Sequence, residues 1–358
     1  MPHTHSMRPL LQRDKIRLQD YEFGLPGGNI AEYPSEPRDS CRLMVIEVES
    51  GATAHTTFRS LPDYLNPGDV LVVNDTRVFP ASFKTVKEET GDRIDVLIVR
   101  NLNDKAWEVM VHPPRKVRIG NTLEFSDYLT CDVIDNTISS GRVIQFHRSD
   151  PDILATFFQI GQVLLPPYLG REPEPADRER MQSVFAEKPG SISTPSAGLH
   201  FSESLVDDLK SRGILIVNIT LHLLQGHFEP IHVNEISKYN MQSEQFQITL
   251  ESCKVINQAK QRGRRIISVG ASVTRALESS HFNGETCLAQ EGWTDLFIYP
   301  PYRPGITDGV ISNFNLPQSK TMMLQSAFLS AEDIREVYHT ALRENYRFGV
   351  FGDAALFI

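Results

Sequence analysis

The order of helical and strand-like runs after about residue 154 constrains the fold more than any other feature of the sequence. Helical apolar spacing predicts helices at residues 203–211, 250–262, 273–280 and 332–345. Short apolar runs predict strands between them at residues 214–220, 265–269, 295–299 and 349–351. Strands that alternate with helices are typical of an α/β fold with a mostly parallel sheet.

Between about residues 83 and 145 the sequence changes to short β-rich runs. They lie at residues 94–99, 107–111, 122–125 and 142–146, with glycines in the connections. Strands at this spacing, separated by turn signals, favour a small antiparallel barrel or sandwich. We therefore predict an α/β domain of residues 1–66 and 155–358, with a small antiparallel β-barrel domain inserted at residues 67–154.

Composition limits the partners that the chain can have. A net charge of −9 over 358 residues gives no overall positive field of the kind that marks many nucleic-acid-binding proteins. A local basic patch would be sufficient, and the runs at 114–118 and 262–265 are candidates, although each is also compatible with an ordinary solvated surface. The four cysteines are far apart, and no apolar run approaches the ~18 residues that cross a bilayer. We expect a cytoplasmic monomer without membrane contact.

The segment 194–201 carries an unusual density of functional groups. Pro195 and Gly198 indicate a tight loop, and Ser202 is a plausible N-cap for the helix that follows. Ser196 and His200 would then lie with backbone N–H donors at a helix N-terminus, where an anion is favoured. The alternative is a simple turn with a buried, hydrogen-bonded histidine.

Other polar clusters follow predicted strands. Residues 269–278 combine a strand, a small-residue turn and a helix that carries Ser272, Arg275 and Glu278. Small residues allow close approach of a ligand, although Arg275 and Glu278 could also form an ordinary surface pair. Asp308 and Asn313 could bind ribose hydroxyls or a base edge, or could form an Asx-turn. His200, His222 and His227 lack the spacing of a metal site, so no metal is predicted.

Together and in this order, these clusters resemble the S-adenosylmethionine:tRNA ribosyltransferase-isomerase family of queuosine biosynthesis. The resemblance runs nearly end to end. The matching motifs include Asn74-Asp-Thr-Arg77, Leu165-Pro-Pro-Tyr168, Pro195-Ser-Ala-Gly-Leu-His-Phe201, Thr220-Leu-His222, Arg275-Ala-Leu-Glu278, Asn313-Phe, Tyr346-Arg-Phe348 and Gly352-Asp-Ala354.

The resemblance implies an α/β domain with an inserted β-barrel, and a specific reaction. The ribosyl part of S-adenosylmethionine would be transferred to the aminomethyl group of 7-aminomethyl-7-deazaguanine in the tRNA anticodon and isomerised, with release of adenine and methionine. S-adenosylmethionine would be a co-substrate, with no metal or redox cofactor. His200, as the proton-transfer group, would act with His222 and Glu278. The predicted substrate-binding residues are Asn74, Asp75, Arg77, Ser196, Gly198, His227, Ser272, Arg275, Asp308, Asn313, Arg347 and Asp353.

Among the departures of the chain from the family pattern, three lie where side chains are expected to face His200. Bulky residues and His227 stand in the usually small, glycine-rich segment 224–228, and Gln242 and Asn315 stand where the family pattern has histidine. Added side-chain volume should reshape a pocket. Two alternatives therefore accompany the main prediction. One is a paralogue that uses S-adenosylmethionine with a different acceptor, and the other is a catalytically inactive binding module.

Overall fold

The computed structural model describes residues 16–103, 105–137, 141–147, 153–227, 229–282 and 286–358. The strands, numbered in chain order, are β1 (Arg42–Ile46), β2 (Thr53–Thr57), β3 (Val70–Asn74), β4 (Thr76–Val78), β5 (Ser82–Lys87), β6 (Arg93–Asn101), β7 (Ala106–His112), β8 (Thr122–Ser126), β9 (Leu129–Asn136), β10 (Arg142–Phe146), β11 (Lys188–Ser191), β12 (Leu215–Leu221), β13 (Glu244–Ile248), β14 (Ile266–Val269), β15 (His281–Phe282), β16 (Thr286–Cys287), β17 (Gln290–Thr294), β18 (Gly309–Asn313) and β19 (Ala354–Phe357). The α-helices are α1 (Ile153–Ile160), α2 (Asp177–Arg180), α3 (Glu203–Ser211), α4 (Leu250–Gln261), α5 (Ala271–Ser279), α6 (Lys320–Gln325) and α7 (Ala331–Arg343). None of the helices in this part of the chain is long and apolar enough to cross a membrane.

A nine-stranded sheet forms the centre of the α/β domain, in the order β17-β13-β12-β3-β14-β18-β19-β1-β2. Its four middle strands, β12, β3, β14 and β18, are parallel to one another, which confirms the predicted α/β fold. All residues of β3, β14 and β18 are buried, as expected for strands that are covered on both faces. The parallel arrangement brings the carboxyl ends of the four strands to the same edge.

Four of the helices begin at a capping hydroxyl. Ser202, Thr249, Ser319 and Ser330 each accept a hydrogen bond from the backbone N–H three residues further on, at the starts of α3, α4, α6 and α7. Helix α5 begins differently, because Gly270 directly after β14 has a φ of +92°, in the region that favours glycine. This tight connection leaves the first N–H groups of α5 at the sheet edge.

The predicted inserted barrel is confirmed. Strands β5 to β10 close into an antiparallel barrel in the order β10-β7-β6-β5-β8-β9. Its interior contains aromatic rings, and α1 contributes Phe157, whose ring packs against Phe83, Trp107 and Phe146. The helix that follows the barrel in sequence therefore helps to fill its core.

One domain boundary and two predicted strands need correction. The insertion was predicted to start at residue 67, but Val70–Asn74 (β3) lies in the middle of the large sheet and the barrel strands start at Ser82. The predicted strand at 295–299 is not a strand, because the chain leaves the sheet after β17 and residues such as Ile298 enter the core from a loop. The predicted strand at 349–351 is a turn, and β19 begins only at Ala354.

Candidate active site

The carboxyl ends of the parallel strands meet at one edge of the sheet, the usual place for a ligand in this architecture. Strands β3 and β18 end in Asn74 and Asn313, and β14 leads through Gly270 into α5. A narrow cavity lies against this edge, between the end of β18, the start of α5 and the segment 194–197. Three of the predicted substrate-binding residues line it: Ser196, Ser272 and Asn313.

Two further cavities adjoin the first and form a single cleft with it. One has a volume of about 170 Å³ and shares Thr194, Ser196 and Asn315 with the narrow cavity. The other lies next to Arg275 and shares Lys320 with the 170 Å³ cavity. We call these three adjoining cavities the strand-end cleft. The remaining walls of its largest part are Tyr168, Ser193, residues 229–231, residues 316–319 and Val350.

The segment 194–201 forms the predicted tight loop before a helix. Ser196–His200 is a 3₁₀ turn, and Ser202 caps α3 by accepting a hydrogen bond of 3.2 Å from the Leu205 backbone N–H. Ser196 faces the cleft, whereas Gly198 packs away from it, since a Cβ there would lie 3.3 Å from Cβ of Ser183. The two residues expected to bind substrate from this loop are therefore separated by the turn itself.

His200 is enclosed behind Asn313, outside the lining of the cleft. Its Nε2 lies 3.0 Å from Oδ1 of Asn313, and its Nδ1 lies 3.2 Å from Sγ of Cys41. The ring also packs against Phe58, and burial lowers the pKa of His200 to about 4. An imidazole in this state is neutral at pH 7. The alternative of a buried, hydrogen-bonded histidine describes it better than a proton-transfer group does.

Asn313, in turn, is a structural anchor as well as a wall of the cleft. Its Nδ2 donates to the carbonyl oxygens of Gly349 and Val350, at 3.0 and 3.1 Å. Val350 lines the 170 Å³ cavity. His200 therefore acts on the cleft through Asn313, which fixes the loop at 349–350.

The side chains of Asn74 and Asp75, at the end of β3, point to opposite faces of the sheet. The Asn74 side chain donates to the carbonyl of Leu221 at 2.9 Å and to Oγ of Ser272 at 3.2 Å, which joins β3, β12 and α5. Asp75 instead accepts a hydrogen bond from the Thr220 hydroxyl and lies 3.4 Å from Nζ of Lys188. These contacts place Asp75 in an open groove between α3, β12 and α4 rather than in the cleft.

His222 also lies on the side of β4 and β11. Its Nδ1 is 2.8 Å from the Thr76 hydroxyl, and its ring packs over Gly190, where a Cβ would come within 2.5 Å. Burial lowers the pKa of His222 below its ordinary value. The structure thus does not bring the two predicted catalytic histidines together in the cleft.

Arg275 and Glu278 are buried rather than paired on the surface. The Arg275 guanidinium forms an ion pair with Glu244 and donates to the carbonyls of Thr294 and Leu296, while its flank lines the cleft. Glu278 is occupied elsewhere, because its carboxylate accepts hydrogen bonds from the Tyr302 hydroxyl and from the backbone N–H groups of residues 305–307. It holds a loop and does not reach the cleft.

Four further predicted residues lie outside the cleft: Asp308, Arg77, Arg347 and Asp353. Asp308 accepts from the backbone N–H of Ile266, the first residue of β14, and so lies at the opposite edge of the sheet. Arg77 is exposed, with its guanidinium over the Phe158 ring. Asp353 accepts from the backbone N–H groups of Arg42 and Arg347, which orders the entry to β1 and β19. The side chain of His227 lies outside the described residues.

Sequence reasoning missed Lys320, a half-buried cation in the wall of the cleft. Its Nζ donates to the carbonyls of Gly226 and Glu229 and lies 5.2 Å from the centre of the Tyr239 ring. Burial lowers the pKa of Lys320 to about 8. One signal was available, since Ser319 caps α6 and a lysine at the first helical position opposes the helix dipole.

The described residues of the cleft were also compared with the requirements of a metal site. Among the described residues, no group of three or more His, Cys, Asp or Glu side chains could hold a metal ion together. The polar groups that do face the cleft are hydroxyls, amides, the Lys320 ammonium and the Glu229 carboxylate. They are suited to binding a small polar molecule by hydrogen bonds and charge.

Comparison with known proteins identifies the family. A family model described as queuosine biosynthesis protein matches residues 18–357. The chain belongs to this family. The S-adenosylmethionine:tRNA ribosyltransferase-isomerase of Chloroherpeton thalassium is 44% identical over 344 residues, which cover 95% of this chain and 99% of that protein. The protein of the same name from Flavobacterium psychrophilum is 42% identical over 349 residues, which cover 96% of this chain and 100% of the relative.

A solved structure agrees with the fold. The crystal structure of an S-adenosylmethionine tRNA ribosyltransferase from Thermotoga maritima matches with a TM-score of 0.53 and 29% sequence identity. The match covers 95% of this chain and 100% of that chain. The sequence-based prediction of the family and of its α/β fold with an inserted barrel is therefore confirmed.

Proposed function

We propose that this protein transfers and isomerises the ribosyl part of S-adenosylmethionine to the aminomethyl group of 7-aminomethyl-7-deazaguanine in tRNA, giving epoxyqueuosine, adenine and methionine. The observation that carries this proposal is the near full-length match to relatives named for the ribosyltransferase-isomerase activity, at 42–44% identity. It favours this reaction over a paralogue with a different acceptor and over an inactive binding module.

The sulfonium of the co-substrate makes such a reaction feasible without a covalent enzyme intermediate. The positive sulfur acidifies the neighbouring 5′-carbon, so a base can remove a proton there. The electron pair then forms a double bond to C4′ as the C4′–O4′ bond breaks, and O4′ forms a carbonyl at C1′ as adenine leaves with a proton. The amine of the modified base then adds, and closure of the epoxide releases neutral methionine. The protein must therefore hold the methionine and ribose parts of one molecule beside an incoming base.

The strand-end cleft is the site that we propose for this co-substrate. Gly270 and Ala271 bring the backbone at the start of α5 to the surface of the cleft, and small residues there permit a close approach. The barrel lies close to the cleft, because Gln225 contacts Sδ of Met110 on β7 and the carbonyl of the next residue, Gly226, accepts from Lys320 in the cleft wall. A tRNA held along the flank of the barrel would present its base to the cleft.

The proposal is tested by incubating the purified protein with S-adenosylmethionine and tRNA that carries the aminomethyl base. We expect adenine and methionine in equal amounts, only when this tRNA is present, with the mass of epoxyqueuosine in the digested tRNA. Adenine release with a small amine but not with tRNA would establish the paralogue instead. Binding of S-adenosylmethionine without any adenine release would establish the binding module.

The partner and the assembly state have their own tests. Because RNA binding releases counterions, the affinity for tRNA should fall steeply between about 50 and 200 mM salt if a local basic patch makes the contacts. Insensitivity to salt would speak for a small acceptor. We propose a monomer as the active species, and light scattering at assay concentration would detect a dimer.

A further inference from the structure

The 170 Å³ cavity of the strand-end cleft carries a cation and an anion close together. Two of the three ammonium protons of Lys320 are donated to the carbonyls of Gly226 and Glu229, which leaves one for a ligand. The Glu229 carboxylate is exposed at the same cavity and near enough for its charge to act on Lys320. The two side chains thus place opposite charges on one small cavity.

Two buried hydroxyls face the same cavity. Ser193 and Thr194 have exposed fractions of 0% and 1%, and both line the cavity. Within the part of the chain that the structure describes, neither hydroxyl has a hydrogen-bond partner. Buried polar groups in native proteins are nearly always satisfied, so two adjacent exceptions at a cavity indicate a bound partner.

We propose that this cavity binds the methionine end of S-adenosylmethionine. Lys320 and the hydroxyls of Ser193 and Thr194 hold the α-carboxylate, and the Glu229 carboxylate holds the α-ammonium. This inference rests on the proposed function and deepens it, because it orients the co-substrate within the cleft. The sulfonium and the ribose then lie toward Ser196 and Asn315, which connect this cavity to the narrow one at the strand ends.

Size and charge both favour an amino-acid end group as the occupant. A cavity of about 170 Å³ is smaller than the ~300 Å³ at which pockets begin to enclose a whole drug-sized ligand, so it fits one end of the co-substrate. A carboxylate accepts from an ammonium and from hydroxyls, whereas an adenine or a ribose brings no negative charge to Lys320. The zwitterion is the part of the molecule that matches both charges.

The test compares binding of S-adenosylmethionine with binding of decarboxylated S-adenosylmethionine, which keeps the amine and the sulfonium. Isothermal titration should show that the wild-type protein prefers the carboxylate form by about 10- to 100-fold, the range for a hydrogen bond to a charged group. Lys320→Met should remove most of this preference, and Lys320→Arg should retain most of it. Glu229→Gln should weaken both ligands alike, because both carry the ammonium.

Controls separate recognition from structural damage. Lys238→Met removes an exposed lysine that pairs with Glu235 and should leave both affinities unchanged. If Lys320→Met does not fold, Thr194→Val and Ser193→Ala test the same carboxylate preference from the hydroxyl side. A wild-type protein without preference, or a Lys320→Met protein that loses affinity equally for both ligands, would overturn the inference. Adenine release is measured separately, so failure of the proposed reaction would be distinguishable from failure of this binding mode.

Discussion

The state of His200 can be tested through the pH dependence of stability, because the surrounding hydrogen bonds define one neutral tautomer. Both Nδ2 protons of Asn313 go to backbone carbonyls, so its Oδ1 must accept and Nε2 of His200 must donate. Nδ1 is then the acceptor for the thiol of Cys41, whose pKa burial raises. A second proton on the ring would meet the thiol proton, and the charge would be buried without a counter-ion in contact.

The magnitude follows from the two pKa values. The ordinary value of 6.5 applies to the unfolded chain, and the folded value is about 4. The folded state therefore binds fewer protons between these values, so stability is complete above pH 6.5 and is lost as the pH falls. One pKa unit corresponds to about 1.4 kcal/mol. Because of His200, the free energy of unfolding should therefore fall by about 2 kcal/mol between pH 7 and pH 5, and by about 3 kcal/mol in total below pH 4.

Urea unfolding of the wild type and of His200→Gln at pH 7, 6 and 5 measures this contribution. Carboxylates and His222 titrate in both proteins, so only the difference between the two curves reports on His200. We expect His200→Gln to be less stable at pH 7 but to lose about 2 kcal/mol less on going to pH 5. If the free energies of unfolding of the two proteins changed in parallel with pH, His200 would titrate normally and could serve as a proton-transfer group.

Three further predictions concern buried charges. Arg275→Met should destabilise the protein by about 3–5 kcal/mol in urea unfolding, because it leaves the buried Glu244 carboxylate without its ion-pair partner. Adding Glu244→Gln should restore part of the lost stability. An effect of Arg275→Met below about 1 kcal/mol would be incompatible with a structural ion pair. Glu278→Gln should increase hydrogen exchange at Gly305, Ile306 and Thr307 while the affinity for S-adenosylmethionine stays unchanged; a weakened affinity would place Glu278 at the site after all. The affinity for S-adenosylmethionine should fall as the pH rises through about 8, since Lys320 then loses its charge; if Lys320→Arg shows the same fall, the amine of the ligand is responsible.

The fold was largely predictable, because apolar periodicity and capping or turn residues reflect interactions between neighbours in sequence. The helix at 203–211 was placed correctly at both ends, since Ser202 caps it and its apolar spacing is regular. Boundaries failed where a run of apolar residues fits two environments. Val70–Asn74 is equally suited to a barrel and to a central parallel strand, and only its pairing with β12 and β14 decides between them.

The candidate site was less predictable, because the end of a strand does not specify the direction of a side chain. Asn74 and Asp75 are adjacent in sequence, but one faces α5 and the other faces the groove beside α3. Likewise, the sequence marked His200 for its chemistry, and burial, which no local pattern reveals, makes it neutral. Conversely, Lys320 acquires its role only from carbonyls more than 90 residues away in sequence.

One departure from the family pattern, Gln242, contacts a glycine of the changed segment 224–228. Gln242 accepts a hydrogen bond from the backbone N–H of Gly226 at 3.0 Å, and Lys320 donates to the carbonyl of the same residue. Asn315 lines the same cavity as Lys320. Because Gln242 and Lys320 hold one loop from both sides, the changed residue Gln242 contributes to the wall of the cleft. If the wall were merely degraded, Gln242→Ala would leave binding of S-adenosylmethionine unchanged. We expect Gln242→Ala to weaken binding severalfold, since a hydrogen bond that positions the loop contributes about 1 kcal/mol.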